Sequence, residues 1–201
     1  MNMNRRLKYV SLLVVTLILV GAWASRYVSL NNYYKSLSDN TREVYDINVI
    51  VPLEDDYINK GMKADGYSIR VDGFEIVEYE SYVKSLSTDI PTAALTPEKL
   101  GLVYITLYNA ESDAPGIMLT ELKLHGMDNY VGMNWDVLAA ANPVLANGYG
   151  ISLSPNTEYS IVLPFDLFEM YFGSDTWRNL EAYEFFLHVT AFPTEKDIRV
   201  R

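Results

Sequence analysis

Residues 102–109 read "LVYITLYN". Successive side chains of an extended chain point to opposite faces, so Val103, Ile105 and Leu107 share one side and Tyr104, Thr106 and Tyr108 the other. β-Branched and aromatic residues of this kind fit a pleated, half-buried surface. A strand apolar on one side and amphipathic on the other suits a layer of a β-sandwich, whose inner face packs on a second sheet.

The same period recurs on either side. Residues 67–79, "YSIRVDGFEIVEY", alternate Tyr67, Ile69, Val71 and then change phase to Phe74 and Ile76 across Asp72-Gly73. Such a change requires a tight hairpin or a bulge. In "LTELKLHG", residues 119–126, Leu122 and Leu124 point inwards with Lys123 outwards. Residues 158–165, "EYSIVLPF", align Tyr159, Ile161, Leu163 and Phe165, with Pro164 confined to a strand end or a sheet edge because it has no N–H for a ladder. Residues 183–192, "YEFFLHVTAF", align Tyr183, Phe185, Leu187 and Val189.

Helical signals are short. Thr96-Pro97 followed by Gly101 predicts a single capped turn, Ser174 and Asp175 predict the start of a helix in "SDTWRNLEAY", and "NWDVLAAAN" predicts a third, closed by Pro143. The fold expected is therefore all-β, an immunoglobulin-like β-sandwich with a few short helices.

Ahead of this domain stands "MNMNRRLKYVSLLVVTLILVGAWASRYVSL". Arg5, Arg6 and Lys8 form a basic head over residues 1–8, and residues 9–25 carry no charge. As a helix they span about 25 Å, a little short of the ~30 Å hydrocarbon core, and Arg26 can snorkel to extend the span. Tyr9, Trp23 and Tyr27 suit the two interfaces. The positive-inside bias of Arg5, Arg6 and Lys8 holds the head in the cytoplasm and sends the rest across, as a single-pass protein of the cell membrane. The rival reading is a signal peptide cleaved after Ala24 in Ala22-Trp23-Ala24, which releases a secreted factor. Residues 26–46 mix Tyr, Asn, Ser and charge without alternation and are expected to be a stalk, interrupted at Asp39-Asn40, with the extracytoplasmic domain over residues 47–201.

The chain has no cysteine, which excludes disulfides, thiolate metal sites, cysteine nucleophiles and lipidated-cysteine anchors. No asparagine lies in an N-x-[ST] sequon, as expected of a bacterial envelope protein. The net charge is −10, and −14 once the four basic residues of the leader are set aside. That sign disfavours nucleic acid and anionic lipid surfaces as partners.

An N-terminal anchor, a stalk, then "LVYITLYNAESDAPGIMLTELKLHG" and "LSPNTEYSIVLPFDL" together resemble bacterial membrane-anchored proteins of unknown function with an immunoglobulin-like (telokin-like) extracytoplasmic domain. The likeness covers residues 66–192 and rests on turn and core signals: Asn109, Gly126, Pro155 and Asp166 occupy the places that the resemblance implies for strand ends and turns. Residues 135–150, "WDVLAAANPVLANGYG", read as an insertion. The resemblance implies a fold and carries no catalytic residue.

Chemistry-bearing residues are sparse. The two histidines are His125, at a strand end, and His188, expected on an exposed sheet face. A hydrolase would pair His188 with Glu184, but there is no G-x-S-x-G elbow, and two isolated histidines without cysteine make a poor zinc site. The acids of "LEDDY" at 53–57 and of residues 65–73 lack the calcium-loop spacing and are expected to be solvated. Sixteen tyrosines and three tryptophans draw attention instead to Tyr130, Trp135 and Tyr149, a candidate surface for a wall glycan or another envelope protein. The function expected is a binding or structural module of the envelope, not an enzyme, with no cofactor and no metal, tied to the membrane by its N-terminal helix.

Overall fold

The structure, a computed structural model, describes residues 3–38, 41–59, 61, 64–86, 88, 90, 95–110, 116–126, 129–145 and 148–201, with side chains in the first helix described for residues 9–30. The chain divides into two units, Met1–Asn40 and Thr41–Arg201.

The first unit is a helix, α1 (Met3–Ser38). Within it Tyr9–Leu30, 22 residues of mean hydropathy 1.7, is long and apolar enough to cross a bilayer, a property that a signal sequence shares. At 1.5 Å per residue it spans roughly 33 Å, against ~30 Å of hydrocarbon. Trp23 and Tyr27 stack at 5.4 Å, one turn apart. The side chains of Arg5, Arg6 and Lys8 and the expected break at Asp39-Asn40 lie outside the described residues.

The second unit is mostly sheet. Its strands are β1 (Thr41–Tyr45), β2 (Val51–Pro52), β3 (Tyr67–Glu78), β4 (Lys99–Asn109), β5 (Ile117–Met118), β6 (Lys123–His125), β7 (Tyr130–Val131), β8 (Gly150–Ile151), β9 (Thr157–Leu167), β10 (Phe186–Thr190) and β11 (Thr194–Arg199). They form an open five-stranded sheet in the order β1-β11-β10-β6-β7, a four-stranded sheet in the order β2-β3-β4-β9, and the small pair β5-β8. All pairs are antiparallel except β1 with β11. Short helices α2 (Tyr79–Ser85), α3 (Trp135–Ala141), α4 (Glu169–Phe172) and α5 (Ser174–Arg178) complete the described elements, with three single 3₁₀ turns.

Strand β4 anchors the four-stranded sheet. Val103, Ile105 and Leu107 are fully buried, and they belong to one apolar cluster with Leu124, Leu187 and Ile198 of the other sheet. Burying each such side chain contributes roughly 1.5–3 kcal/mol. On the opposite face Leu100 and Leu102 meet Tyr79 and Val137 from the ends of α2 and α3, in a smaller second cluster. The phase change in β3 is a bulge: Val71 pairs with Ile105 and Gly73 with Tyr104, so Asp72 is the extra residue and Phe74 returns to the core side. Pro164 lies in β9 at the edge of its sheet, as expected of a residue without an N–H. The helix α3 forms within the expected segment and is capped by Asn134, whose Oδ1 accepts from Val137 N at 2.9 Å.

Three local expectations are corrected. Thr96 to Gly101 does not form a helical turn: β4 begins at Lys99, and Gly101 is a strand residue. A Cβ there would lie 3.2 Å from Phe74 and 3.3 Å from Leu124, so tight packing, not a helix stop, accounts for it. Ser174 is the first residue of α5 and not its cap, a place taken by Gly173 at φ 72°. Residues 41–45, read as stalk, form β1. This edge strand is held through its backbone against β11 and keeps all but Tyr45 exposed, so no hydrophobic alternation marks it.

The residue that breaks the pattern most is Lys196, on the core side of β11 with only 2% of its surface exposed. Its Nζ donates to Pro52 O at 2.8 Å and to Glu54 Oε2 at 2.7 Å and lies 2.6 Å from Asp56 Oδ2. Burial opposes its charge, but the two carboxylates outweigh that and raise its pKa. Breaking a buried pair by removing one partner costs about 3–5 kcal/mol, whereas replacing both by apolar groups is often close to neutral. Lys196→Met is therefore expected to lower stability by about 3–5 kcal/mol, and Lys196→Met/Asp56→Leu to recover part of that loss, in urea denaturation of the full chain. Equal midpoints for wild type and Lys196→Met would show that the cluster is neutral.

Candidate functional site

The outer face of the five-stranded sheet carries a buried polar cluster. Strand geometry puts Lys196 and Ile198 of β11 on the core side and Glu195, Asp197 and Arg199 on the other. The carboxylate of Asp197 has no exposed surface. Side chains from three other strands converge on it. Arg42 of β1 donates from Nε at 2.9 Å and from Nη2 at 2.7 Å to Oδ2. His188 of β10, which pairs with Asp197 across the ladder, places Nδ1 2.9 Å from Oδ1. His125 of β6 places Nε2 3.3 Å from the same Oδ1.

The two imidazoles are held differently. His125 Nδ1 lies 3.2 Å from the Gly126 carbonyl, within hydrogen-bond reach. Its Nε2 is buried and off the hydrogen-bond direction to Asp197, which makes it the unpartnered buried side-chain nitrogen or oxygen among the described residues. Gly126 is close-packed: a Cβ there would collide with the Tyr183 ring at 2.0 Å. Aromatic rings wall the cluster, with Phe186 stacked on His125 at 5.5 Å and Tyr130 meeting His125 at 5.2 Å and His188 at 6.2 Å. Arg42 and Arg199 both lie over the Phe186 ring, at 5.8 and 5.9 Å.

The electrostatics follow. Burial pushes the Asp197 carboxyl up, but the His125 and His188 imidazoles and the Arg42 guanidinium beside it outweigh that and hold the group far below the usual carboxylate range. The contact with Asp197 raises the pKa of His125 against the opposing effect of burial. The same carboxylate raises that of Arg42. Asp197 is thus held as an anion by its neighbours.

Beside the cluster opens a depression of about 590 Å³, lined by Arg42, His125, Gly126, Asn129, Tyr130, Phe186 and Glu195. Tyr130 stands at its rim with 64% of its surface exposed. Asn129 Nδ2 donates to the Tyr171 carbonyl at 2.7 Å, tying the β6–β7 turn to α4.

The structure rearranges the residues singled out in the sequence. Trp135 and Tyr149 form a ring pair at 4.7 Å, with Trp135 packed against the core and Tyr149 41% exposed. The rings that Tyr130 meets are those of His125 and His188. His188 is not on an exposed face: it is 7% exposed, because Tyr130 and the neighbouring strands cover it. Its carboxylate is Asp197, not Glu184, which bonds Arg199 at 2.9 Å. The histidines are not isolated from each other either; their rings lie 6.1 Å apart. Among the acids considered for calcium, Glu54 and Asp56 bind Lys196, and Asp72 binds Arg70 and Thr106.

Sequence reasoning missed Arg42, Asp197 and Lys196. The available signal was in "TEKDIRV", residues 194–200, where Ile198 and Val200 keep strand period with Lys196, leaving Asp197 on the face of His188.

Residues 42–196 match the family model described as "Domain of unknown function (DUF5028)", and the chain belongs to that family. No curated protein and no solved structure matches the chain.

Asp197→Asn is expected to destabilise the full chain by about 1–3 kcal/mol, since it takes the charged acceptor away from the half-exposed Arg42 and the buried His188. Glu184→Gln, at an exposed pair, should change stability by less than about 1 kcal/mol. Denaturant midpoints check both. A larger loss for Glu184→Gln than for Asp197→Asn would reverse the assignment of the partner of His188.

Proposed function

We propose that this protein is a membrane-tethered, extracytoplasmic binding module of the bacterial envelope, presenting an immunoglobulin-like β-sandwich that works by non-covalent recognition. Its recognition surface is the depression beside Asp197. The observation that carries the reading is a fully buried carboxylate, braced by an arginine and two histidines from three other strands, under an exposed tyrosine. Positioning a polar set on strands and not on loops is how a recognition site is kept rigid.

The tether is supported by the apolar helix with Arg5, Arg6 and Lys8 at its head, an arrangement that keeps the amino end inside. The −14 charge of the remainder suits a solvated domain and disfavours nucleic acid and anionic lipid as partners. Partners of the expected kind are a wall glycan, which stacks on tyrosine, or another envelope protein. Retention of the helix as an anchor is preferred to release after Ala24, because Tyr9–Leu30 runs well past the short apolar core of a cleaved signal.

An exported hydrolase is the second reading, favoured by the 2.9 Å His188–Asp197 pair, which has the form of a base and its orienter. Against it, the described side chains lining the depression include no serine, threonine or cysteine to serve as nucleophile.

Protease added to intact cells is expected to degrade residues 41–201 without permeabilisation, and the intact mass of the membrane-extracted chain should include the leader. Protection of the domain until lysis overturns the topology; a mature chain starting at Ser25 replaces the anchor with a released form. A photo-crosslinking residue at position 130 should capture a partner on living cells far more efficiently than one at position 171, and equal capture would remove the depression as the recognition surface.

A further inference from the structure

The acceptor pattern at His125 is incomplete as it stands. If Nδ1 donates to the Gly126 carbonyl, the neutral ring turns a bare Nε2 lone pair towards Asp197 Oδ1, acceptor against acceptor. A backbone carbonyl on one imidazole nitrogen is the usual support for a metal bond at the other, because it fixes the tautomer and the ring plane. Among the described residues nothing supplies the missing partner, and Nε2 is the buried side-chain atom there with no hydrogen bond.

The geometry around that atom suits a metal ion. One ligand atom each from His125, His188 and Asp197 lie within 4.8 Å of one another, and the two imidazole nitrogens facing Asp197 Oδ1 are 2.9 and 3.3 Å from it. Zinc bonds to nitrogen and oxygen are about 2.0–2.2 Å, so two ligands of one ion stand roughly 3–4 Å apart. The Oδ1 separations already lie close to that range. Two imidazoles and a carboxylate are also the ligand types that transition metals prefer over calcium or magnesium.

Arg42 shares the charge sign of a metal ion, but it engages Oδ2 and leaves Oδ1 to the histidines. Glu195 stands 3.5 Å from its Nε, so two carboxylates face one guanidinium and the site keeps a net negative charge with neutral rings. Arg42 then orients the carboxylate so that it binds through a single oxygen, as outer-shell partners do.

We propose that His125, His188 and Asp197 bind one zinc-class transition-metal ion, through a nitrogen of each imidazole and Oδ1 of Asp197. Of the three ligands His125 also lines the depression, beside Tyr130 and Asn129, so the site borders it. Three protein ligands and an open position are the arrangement of an ion that takes a further ligand, and not of a closed structural site. The inference takes the depression as the recognition surface proposed above and places an ion at its border; it does not rest on the membrane topology.

The chain contains two histidines, and both are in this site. That permits a test on the wild-type full chain, in detergent and without an affinity tag. Addition of Zn²⁺ to protein labelled with ¹⁵N at histidine should shift the ring resonances of both residues and saturate at one equivalent. Co²⁺ should give the visible absorption of a low-coordinate site, and neither Ca²⁺ nor Mg²⁺ should compete. His125→Asn and His188→Asn are each expected to weaken Zn²⁺ binding by at least about tenfold, while Glu184→Gln binds as wild type. Unmoved histidine resonances, uptake equally displaced by Ca²⁺, or wild-type affinity in both histidine variants would each overturn the proposal. These readouts leave the protease and crosslinking results untouched, so failure of the metal site and failure of the binding reading remain distinct.

Discussion

The carboxylate of Asp197 ties the five-stranded sheet together on its outer face. It sits on β11, the second strand, and reaches Arg42 on β1, His188 on β10 and His125 on β6, touching four of the five strands. A buried charge of this kind is tolerable only with its partners in place, since desolvation of an isolated carboxylate costs more than a fold can supply. Backbone ladders would permit a shifted register; the charge would not, because a one-residue slip turns Asp197 to the core side and exposes Lys196.

Lys196 and Asp197 make β11 a strand with a buried charge on each face. On the core side Lys196 is tied to the β2 region through Pro52, Glu54 and Asp56. On the outer side Asp197 is tied to β1, β10 and β6. The two anchors fix the strand in depth as well as in register. Apolar residues on either side would contribute as much or more to stability but would not discriminate between neighbouring alignments so sharply. That selectivity fits an open sheet with the mixed pairing of β1 and β11, where the hydrophobic pattern of β1 says little about its place.

Most strands were legible in the sequence, because each long one carries its own period. Val103, Ile105 and Leu107, or Phe185, Leu187 and Val189, announce a buried face without reference to any other part of the chain. The phase change at Asp72-Gly73 was legible for the same reason, as a break in that period, but only the pairing with β4 decides between a hairpin and a bulge. What was hidden depends on pairing. Residues 41–45 look like a stalk until β11 lies beside them, and Lys99 looks like part of a helical turn until β3 and β9 flank it. The candidate site was hidden further still. His125, His188 and Asp197 were each visible as residues, but nothing local relates a strand end near the middle of the chain to the charged segment near its end. His188 was placed on an exposed face because its period is opposite to the core, and the covering ring of Tyr130 comes from β7, too short to read as a strand.

The order of assembly follows from the same long-range character. Strand β1 is the first of the domain and β11 the last, and they are neighbours in the sheet, so it is complete only when both ends of the domain have met. Contacts of such sequence separation carry a large closure entropy and form late or slowly. The hairpin-like pairing of β10 with β11 is local by comparison and brings His188 to Asp197 with little loop closure. Arg42 and His125 must then arrive from opposite directions along the chain to neutralise a carboxylate already partly withdrawn from water. The buried charge thus makes a half-formed sheet costly and a finished one specific, which couples integrity of the candidate site to completion of the domain.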